Sequence, residues 1–547
     1  MSARPKEKWG SRVGVILAVA GCAVGLGNFL RFPGQAAQYG GGAFMVPYFL
    51  TLLLVALPIG WAEWTMGRLG GQLGFNSAPA IFGAIGRNKF WRYVGVFGLL
   101  IPLCVYFYYI YIEAWCLAYA WMYLTGDMST LIGGEPSAYA ANSEALFSSF
   151  TGQDADGALF DPGRPRRGAP LLLFWGLVFV MNFILIYRGI AKGIEWFCNL
   201  AMPVMAVCSV LVLIRVLTLG TPDPAHPEQN VLNGLGYMWN PHSDPGKPWW
   251  TSLFLPDVWL AAGGQLFFSL GIGFGVIINY ASYLSRKDDV VLSGLTAAST
   301  NEFFEVCMGG MITIPAAFIF LGSSLAISGT FGMGFVTMPA VFQHMPPVMG
   351  IPTGPAVGFI WFFMLFLAAI TSSLGMLQPV IAFLEEALGI GRRASAAILA
   401  IISVFGSAFV IYFSKGMAAL DTIDFWVGTA MIYLVALFQA VLFGWVLGTK
   451  RGIASAMEGA AMRLPPGFPI LIRYVAPLFL AVIFVLWLIN TLPGKVRELA
   501  GGGVPLFSIL LIGVTFAFLC MLTALGGERW KAEERGRRAL ELSAEEA

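Results

Sequence analysis

Charge is scarce in this chain. Of its 547 residues, 11 % are Asp, Glu, Lys or Arg, against about a quarter in a soluble globular domain. The 32 basic and 30 acidic residues leave a net charge of +2. There is no basic field to hold a phosphate backbone, so no nucleic acid is expected as a partner. Histidine is scarcer still: His226, His242 and His344 fall in separate polar stretches at no ligand spacing, which argues against a zinc-type centre. The seven cysteines all lie inside apolar runs without a CxxC pair. They read as small buried hydrophobes, not as a disulfide framework. Neither a GxxxxGK[ST] loop nor an HExxH helix occurs, so ATP hydrolysis and zincin chemistry are not indicated and no enzyme is expected. The first apolar run, from Val13, holds Asn28 and Arg31 and lacks a small-residue cleavage site; it reads as a retained span.

Apolar residues are abundant instead, at 58 %, with 14 % aromatic, and the mean hydropathy is +0.75. The solvent such a chain calls for is a lipid bilayer. At about 20 apolar residues per crossing, the pattern predicts an all-α polytopic protein of about twelve transmembrane helices. They fall near 12–37, 42–68, 90–124, 168–186, 193–217, 257–284, 290–321, 354–387, 394–413, 417–447, 470–491 and 503–525. Residues 1–12 carry four bases and one acid, and 68–92 four bases and no acid, whereas 127–167 carries six acids and three bases. The positive-inside rule then places both termini in the cytoplasm. The expected organisation is a cytoplasmic segment (1–11), a first five-helix set (12–217, with outer loop 127–167), an extracellular loop (218–256), a second five-helix set (257–447, with outer loop 322–355), two added helices (470–525) and a cytoplasmic tail (526–547). The uncharged, Gly- and Pro-rich loop 322–355 is expected to fold back onto the protein. The tail is expected as a short solvated helix or disorder.

Two helices are interrupted by glycine. The first carries Gly21, Gly25 and Gly27 before Asn28 and Arg31; the sixth carries Gly263, Gly264, Gly271, Gly273 and Gly275. Each glycine costs a helix interior about 1 kcal/mol against Ala. One such helix alone reads as a close packing surface. Two, at the head of corresponding five-helix sets, are the sequence sign of an inverted-repeat transporter with its site at unwound midplane turns. Freed carbonyls suit a cation and freed amides an anion, so a zwitterion bound beside sodium would use both. Asn28, Ser269, Asn301, Thr371, Ser372 and Ser373 add neutral oxygens inside apolar spans, donors that a hard cation prefers. Arg31, Glu63, Glu113, Glu305 and Asp424 are ionisable residues in or beside spans and so are functional candidates. For Glu113 a hydrogen-bonded structural role is the simpler expectation.

The run from Trp9-Gly10-Ser11-Arg12 to Gly25-Leu26-Gly27-Asn28-Phe29-Leu30-Arg31-Phe32-Pro33, with Gly40-Gly41-Gly42-Ala43-Phe44, Glu63-Trp64-Thr65-Met66-Gly67-Arg68, Phe267-Phe268-Ser269, Tyr280-Ala281-Ser282-Tyr283, Thr371-Ser372-Ser373, Gln378-Pro379 and Asp424-Phe425-Trp426, resembles the neurotransmitter:sodium symporter family, and within it the bacterial amino-acid branch. The resemblance covers nearly the whole chain and is weakest in 127–167 and the tail. It implies the leucine-transporter (LeuT) fold, a 5+5 inverted repeat with helices 1 and 6 unwound, in the cell (inner) membrane.

The resemblance also implies a set of sites. A first sodium would meet the carbonyls of Ala23 and Ser269 and the side chains of Asn28, Ser269 and Asn301. A second would meet the carbonyls of Gly21, Val24 and Ala368 and the hydroxyls of Thr371 and Ser372. The substrate carboxylate would meet the amides of Leu26 and Gly27, the Tyr109 hydroxyl and the first sodium; the ammonium would meet the carbonyls of Ala23, Phe268 and Ser269. Val105, Tyr109, Phe268, Gly271, Phe274, Ser372 and Met376 would line an apolar side-chain pocket, widened where Gly271 carries no side chain. Gly25 stands where monoamine carriers place an Asp, which favours amino acids. Glu305 stands where chloride-dependent members carry a small neutral residue, so no chloride requirement is expected. Arg31 and Asp424, with Tyr109 and Phe268, would form the outer gate; Lys6, Trp9, Ser282, Tyr283, Gln378 and Glu386 the inner one. Lys6 and Glu386 keep the usual charge signs there but lose the bidentate fork of Arg.

The implied function is sodium-coupled symport of a neutral, hydrophobic L-amino acid, aliphatic to aromatic, by alternating access, with helices 1, 2, 6 and 7 rocking against 3, 4, 8 and 9. The alternatives are a non-transporting amino-acid sensor and a proton-coupled carrier of the same fold. Partners are then the amino acid and the bilayer, and a homodimer is left open.

Overall fold

The computed structural model describes residues 7–164, 170–222, 224–242, 248–322 and 329–545, the last stretch (532–545) as backbone only. Twelve helical units carry the fold: α1 (Arg12–Ala23 and Gly27–Gln38), α2 (Gly42–Gln72), α3 (Lys89–Thr125), α4 (Leu171–Tyr187), α5 (Ile190–Leu217), α6 (Pro256–Leu270 and Val276–Ala281), α7 (Val290–Leu321), α8 (Gly354–Leu388), α9 (Arg392–Tyr412), α10 (Lys415–Met457), α11 (Phe468–Asn490) and α12 (Val504–Glu545). Among the described residues, nine helices are long and apolar enough to cross a membrane, and the two halves of α1, bent by 46°, make a tenth. The other two of the twelve are the short α4, at 17 residues, and the broken α6.

Local chemistry sets where these helices begin and end. Ser11 Oγ accepts the Gly14 amide at 2.9 Å and caps α1. Asp289 Oδ1 accepts the amides of Val291 and Leu292, both at 2.9 Å, and caps α7. Such caps satisfy donors that a helix start leaves free. Gly126 and Gly389 close α3 and α8 in the left-handed region, which glycine enters without a Cβ penalty.

The centre of the bundle is α3 against α8, whose apolar stretches are the most thoroughly buried of all the spans. Small residues let other pairs close up. A Cβ at Gly309 on α7 would collide with the Asn28 carbonyl oxygen at the break of α1. In contrast, α4 and α5 turn large apolar faces outward, with Leu173, Val180, Ile184, Val207 and Ile214 exposed, as lipid-facing helices do.

Outside the spans, two expectations need refining. Loop 127–167 is not irregular: it contains helices Asp127–Leu131 and Tyr139–Thr151, and Phe147 stacks on Phe335 at 5.5 Å. Phe335 and its neighbour Met333 belong to the 322–355 stretch and are fully buried, so the described part of that loop, from 329, folds back onto the protein. The tail is neither a separate short helix nor irregular. α12 runs unbroken past the membrane to Glu545, because 526–545 carries strong helix formers and no proline. Trp530, 2 % exposed, anchors it against Phe383 at 6.5 Å and beneath the Arg92 guanidinium.

Two glycines give a matched test of this packing. Gly309→Leu should wedge α7 from α1 and lower thermal stability in detergent, by about 1–3 kcal/mol in unfolding free energy. Gly176→Ala on α4, where a Cβ meets nothing within 4 Å, should leave stability unchanged or slightly raised.

Candidate functional site

Backbone that leaves helical geometry inside a membrane must find partners from side chains, and at α1 it does. The helix stops at Val24, whose φ of −74° and ψ of 91° are extended. The Gly25 amide donates to Asn28 Oδ1 at 2.9 Å, and the Leu26 amide to the Tyr109 hydroxyl at 3.2 Å. At α6 the chain passes through Gly271, Gly273 and Gly275, all with positive φ. The buried carboxylate of Glu63 accepts the Gly273 amide at 3.0 Å and the Gln439 side chain at 2.7 Å. Glu63 thus pins the α6 turn.

The polar residues singled out from the sequence converge on these two turns. Asn28 Nδ2 donates to Asn301 Oδ1 at 2.9 Å and Asn301 Nδ2 to Ser269 Oγ at 3.3 Å. Glu305 lies directly behind, fully buried, accepting from Gln265 at 2.9 Å and from Asn28 and Asn301 at 3.3 Å. Neutral oxygens backed by one carboxylate suit a hard monovalent cation. A second oxygen group sits where α8 meets α1. Ser372 Oγ donates to Cys22 O and Ala368 O, both at 3.0 Å, and Thr371 Oγ1 to Ala368 O at 3.0 Å. On α1, Ser372 therefore bonds the carbonyl of Cys22, between the expected carbonyls of Gly21 and Val24. Glu113 accepts from Ser373 at 2.5 Å and Asn182 at 2.8 Å, so it ties α3 to α8 and α4 as a structural acid.

Between the two oxygen groups lies a cavity lined by Ala23, Gly27, Tyr109, Phe268, Ser269, Gly271, Phe274, Ser372 and Met376, together with Cys22, Gly25 and Val276. Leu26 faces the outer vestibule instead, and Val105 lies buried outside the lining. The cavity is tight, about 20 Å³, so a large side chain enters when Phe268 or the unbranched Met376 shifts. A Cβ on Gly25 would stand 2.7 Å from Ser372 Oγ and 2.8 Å from the Tyr109 hydroxyl, which leaves no room for an Asp, whereas a Cβ on Gly271 meets nothing within 4 Å.

Tyr109 and Phe268 form the wall between this cavity and an outer vestibule of about 230 Å³. Arg31 and Asp424 both line that vestibule, but each has another partner. Arg31 lies over the Phe268 ring at 4.7 Å and donates to Thr429 at 3.3 Å; Asp424 accepts from Tyr108 at 2.6 Å. Above the Phe268 ring there is thus a cation–π contact flanked by hydrogen bonds.

At the end of the bundle where the chain begins, Lys6 lies outside the described residues. Trp9 Nε1 donates to Tyr280 O at 3.0 Å, Ser282 Oγ to Asn76 Oδ1 at 3.0 Å, and Gln378 Nε2 to the Tyr283 hydroxyl at 3.2 Å. Glu386 accepts from Ser77 Oγ at 2.5 Å and from the Asn76 and Ser77 amides. Sequence reasoning missed five residues that join elements at this end of the bundle. Arg392 pairs with Glu7 at 3.1 Å and donates to Gln378 at 2.6 Å. Glu195 accepts from the Gly10 amide at 2.6 Å and from Ser11 at 3.0 Å. Arg12 pairs with Asp289 at 3.1 Å. The opposite charges at the starts of α1, α5, α7 and α9 were the available signal. Beyond the seal, a hydrogen bond from Arg286 holds the exposed Glu458 carboxyl below the usual carboxylate range.

Comparison with known proteins agrees with this geometry. An uncharacterised sodium-dependent transporter of Methanocaldococcus jannaschii is 27 % identical over 493 residues, covering 89 % of this chain and 91 % of that one. The sodium-dependent nutrient amino acid transporter 1 of Drosophila melanogaster is 25 % identical, covering 90 % and 79 %. The crystal structure of MhsT in complex with L-phenylalanine superposes with a TM-score of 0.73 at 26 % identity, over 88 % of this chain and 99 % of MhsT. The LeuT-like inverted-repeat fold is thereby established. Residues 6–135 and 161–525 match the sodium:neurotransmitter symporter family, and the chain belongs to that family.

Proposed function

We propose that the protein is a sodium-coupled symporter of a neutral, hydrophobic L-amino acid, working without chloride. The observation that carries this is the meeting of two broken helices and two neutral-oxygen groups at one cavity. The Asn28–Ser269–Asn301 group and the Thr371–Ser372 group take one sodium each. The amino acid's carboxylate faces the Leu26 and Gly27 amides and the first sodium, so each ligand raises the other's affinity in a site shielded from water. Its side chain enters the apolar part of the cavity past Gly271 and Met376. The solved neighbour MhsT holds phenylalanine, which favours an aromatic within the accepted range. Glu305 supplies the negative charge that chloride provides elsewhere. The sodium gradient drives the cycle, with about 2.3 kcal/mol more per net charge per 100 mV. Helices α1, α2, α6 and α7 rock against α3, α4, α8 and α9 in an inner membrane, with both termini cytoplasmic.

Three measurements test this. Equilibrium binding of amino acids from glycine to tryptophan should select a hydrophobic member, equally in sodium chloride and sodium gluconate and not in choline chloride; binding that persists in choline would refute the coupling. Glu305→Ser leaves the donors of Gln265, Asn28 and Asn301 around a small space. Its sodium-dependent binding in gluconate should fall at least tenfold and recover in chloride. Gly271→Ser should weaken phenylalanine and tryptophan at least tenfold relative to alanine. The ranking is the readout, because strain at the left-handed Gly271 (φ +69°) affects all ligands alike.

A further inference from the structure

The start of α1 is held on two faces. On one, Trp9 Nε1 donates to Tyr280 O at 3.0 Å, and Arg12 donates to Asp289 at 3.1 Å and to Ser293 at 3.4 Å. These bonds tie α1 to α6 and α7. On the other, Glu195 of α5 takes the Gly10 amide at 2.6 Å and the Ser11 hydroxyl at 3.0 Å, one on each carboxylate oxygen. Ser11 Oγ in turn accepts the Gly14 amide at 2.9 Å and caps α1. Glycine makes room for the carboxylate: a Cβ on Gly10 would stand 3.2 Å from Glu195 Oε1, and one on Gly14 only 1.9 Å. Glu195 is 5 % exposed and makes no ion pair among the described residues. Both its hydrogen-bond donors therefore come from α1 and the residue before its cap.

What these bonds do rests on the alternating-access reading above. There α1 moves with α2, α6 and α7, so its bonds to Tyr280, Asp289 and Ser293 travel with it. The bonds that must break run to helices outside that set: those of Glu195 on α5, and the pair of Glu7 with Arg392 on α9 at 3.1 Å. The two contacts differ in kind. The Glu7 side chain is 37 % exposed, so water and salt weaken that pair. Glu195 is buried, and losing both donors strands its charge until water replaces them. A cavity of about 520 Å³ reaches Gly10 and Ser11, so water has a route to the donors as they leave.

We propose that Glu195 is the latch of α1: a positioning residue that touches no ligand and sets how readily α1 parts from α5. Release of this buried carboxylate, rather than of the exposed Glu7–Arg392 pair, limits opening at this end of the bundle. Cys198 is a built-in reporter of that parting. It lies three residues after Glu195 on α5 and is fully buried, and a Cβ on Gly21 of α1 would stand 3.5 Å from its Sγ.

The full chain in liposomes is treated with N-ethylmaleimide in sodium. Labelling of Cys198, and of Cys104, which is fully buried on α3, is followed by peptide mass spectrometry. Two variants attack the latch from its two sides. Glu195→Gln keeps the size but puts a donor where an acceptor stood. Gly14→Ala pushes the carboxylate out of its seat, while alanine favours the helix itself. Each should raise the Cys198 labelling rate about tenfold, the scale of a hydrogen bond to a charged group, and leave Cys104 unchanged. Glu7→Gln should raise Cys198 labelling less than about twofold. An unchanged Cys198 rate in both latch variants overturns the proposal, and so does an equal rise in Glu7→Gln. A variant in which Cys104 rises in step has lost its fold, and the other variant decides alone; if both lose it, Glu195 is structural and the proposal falls. Amino-acid uptake is measured in the same liposomes. Absent uptake by the parent sinks the symport reading, whereas the labelling ratio judges the latch by itself.

Discussion

The constraint on which this molecule depends is that peptide groups freed from a helix inside a bilayer need partners. The turns in α1 and α6 release several at once, and three of the freed amides have side-chain partners. Asn28 takes the amide of Gly25, Tyr109 that of Leu26, and Glu63 that of Gly273. The same side chains face the cavity or stand behind its wall. Holding the break open and shaping the site are therefore one task. Substitutions there mix lost stability with lost affinity, and a ranking of ligands says more than any single affinity.

Charge is arranged with equal economy. Three fully buried carboxylates are enclosed by neutral donors: Glu63 by Gly273 and Gln439, Glu113 by Ser373 and Asn182, Glu305 by Gln265, Asn28 and Asn301; Glu302 neighbours Glu305 and shares the Asn301 donor. Direct ion pairs lie at the ends of the bundle, as Arg12–Asp289 and Arg392–Glu7 do where the chain begins, and water there lowers the desolvation cost. The opposite side of the cavity is covered differently, with the Arg31 guanidinium over the Phe268 ring. The two ends of the bundle thus rest on unlike physics: the rim pairs weaken as salt screens them, and the ring contact much less.

Much of this was legible in the sequence. Composition and hydropathy gave an all-helical membrane chain; glycine spacing gave the broken helices; and neutral oxygens in apolar runs pointed to Asn28, Ser269, Asn301, Thr371 and Ser372, which the fold brings beside the two turns. What stayed hidden was pairing between distant segments. Arg31 and Asp424 have complementary charge and face one vestibule, yet Tyr108 and Thr429 take the bonds. Nothing local to Arg392 announces Glu7, 385 residues away. The tail misled for a different reason. Alternating charge reads as solvated, and one tryptophan, Trp530, was enough to dock the helix at its membrane end.

The partition made by Tyr109 and Phe268 has a further consequence. Because these two rings belong to both the inner chamber and the vestibule above it, the space each chamber holds is drawn from a common reserve. When the Phe268 ring tilts outward to admit a bulky guest, it intrudes on the room above and disturbs the guanidinium resting on it. Bulky and small guests would therefore leave the entrance in different shapes. The size of the cargo would be written into the geometry of the doorway through which the next one arrives.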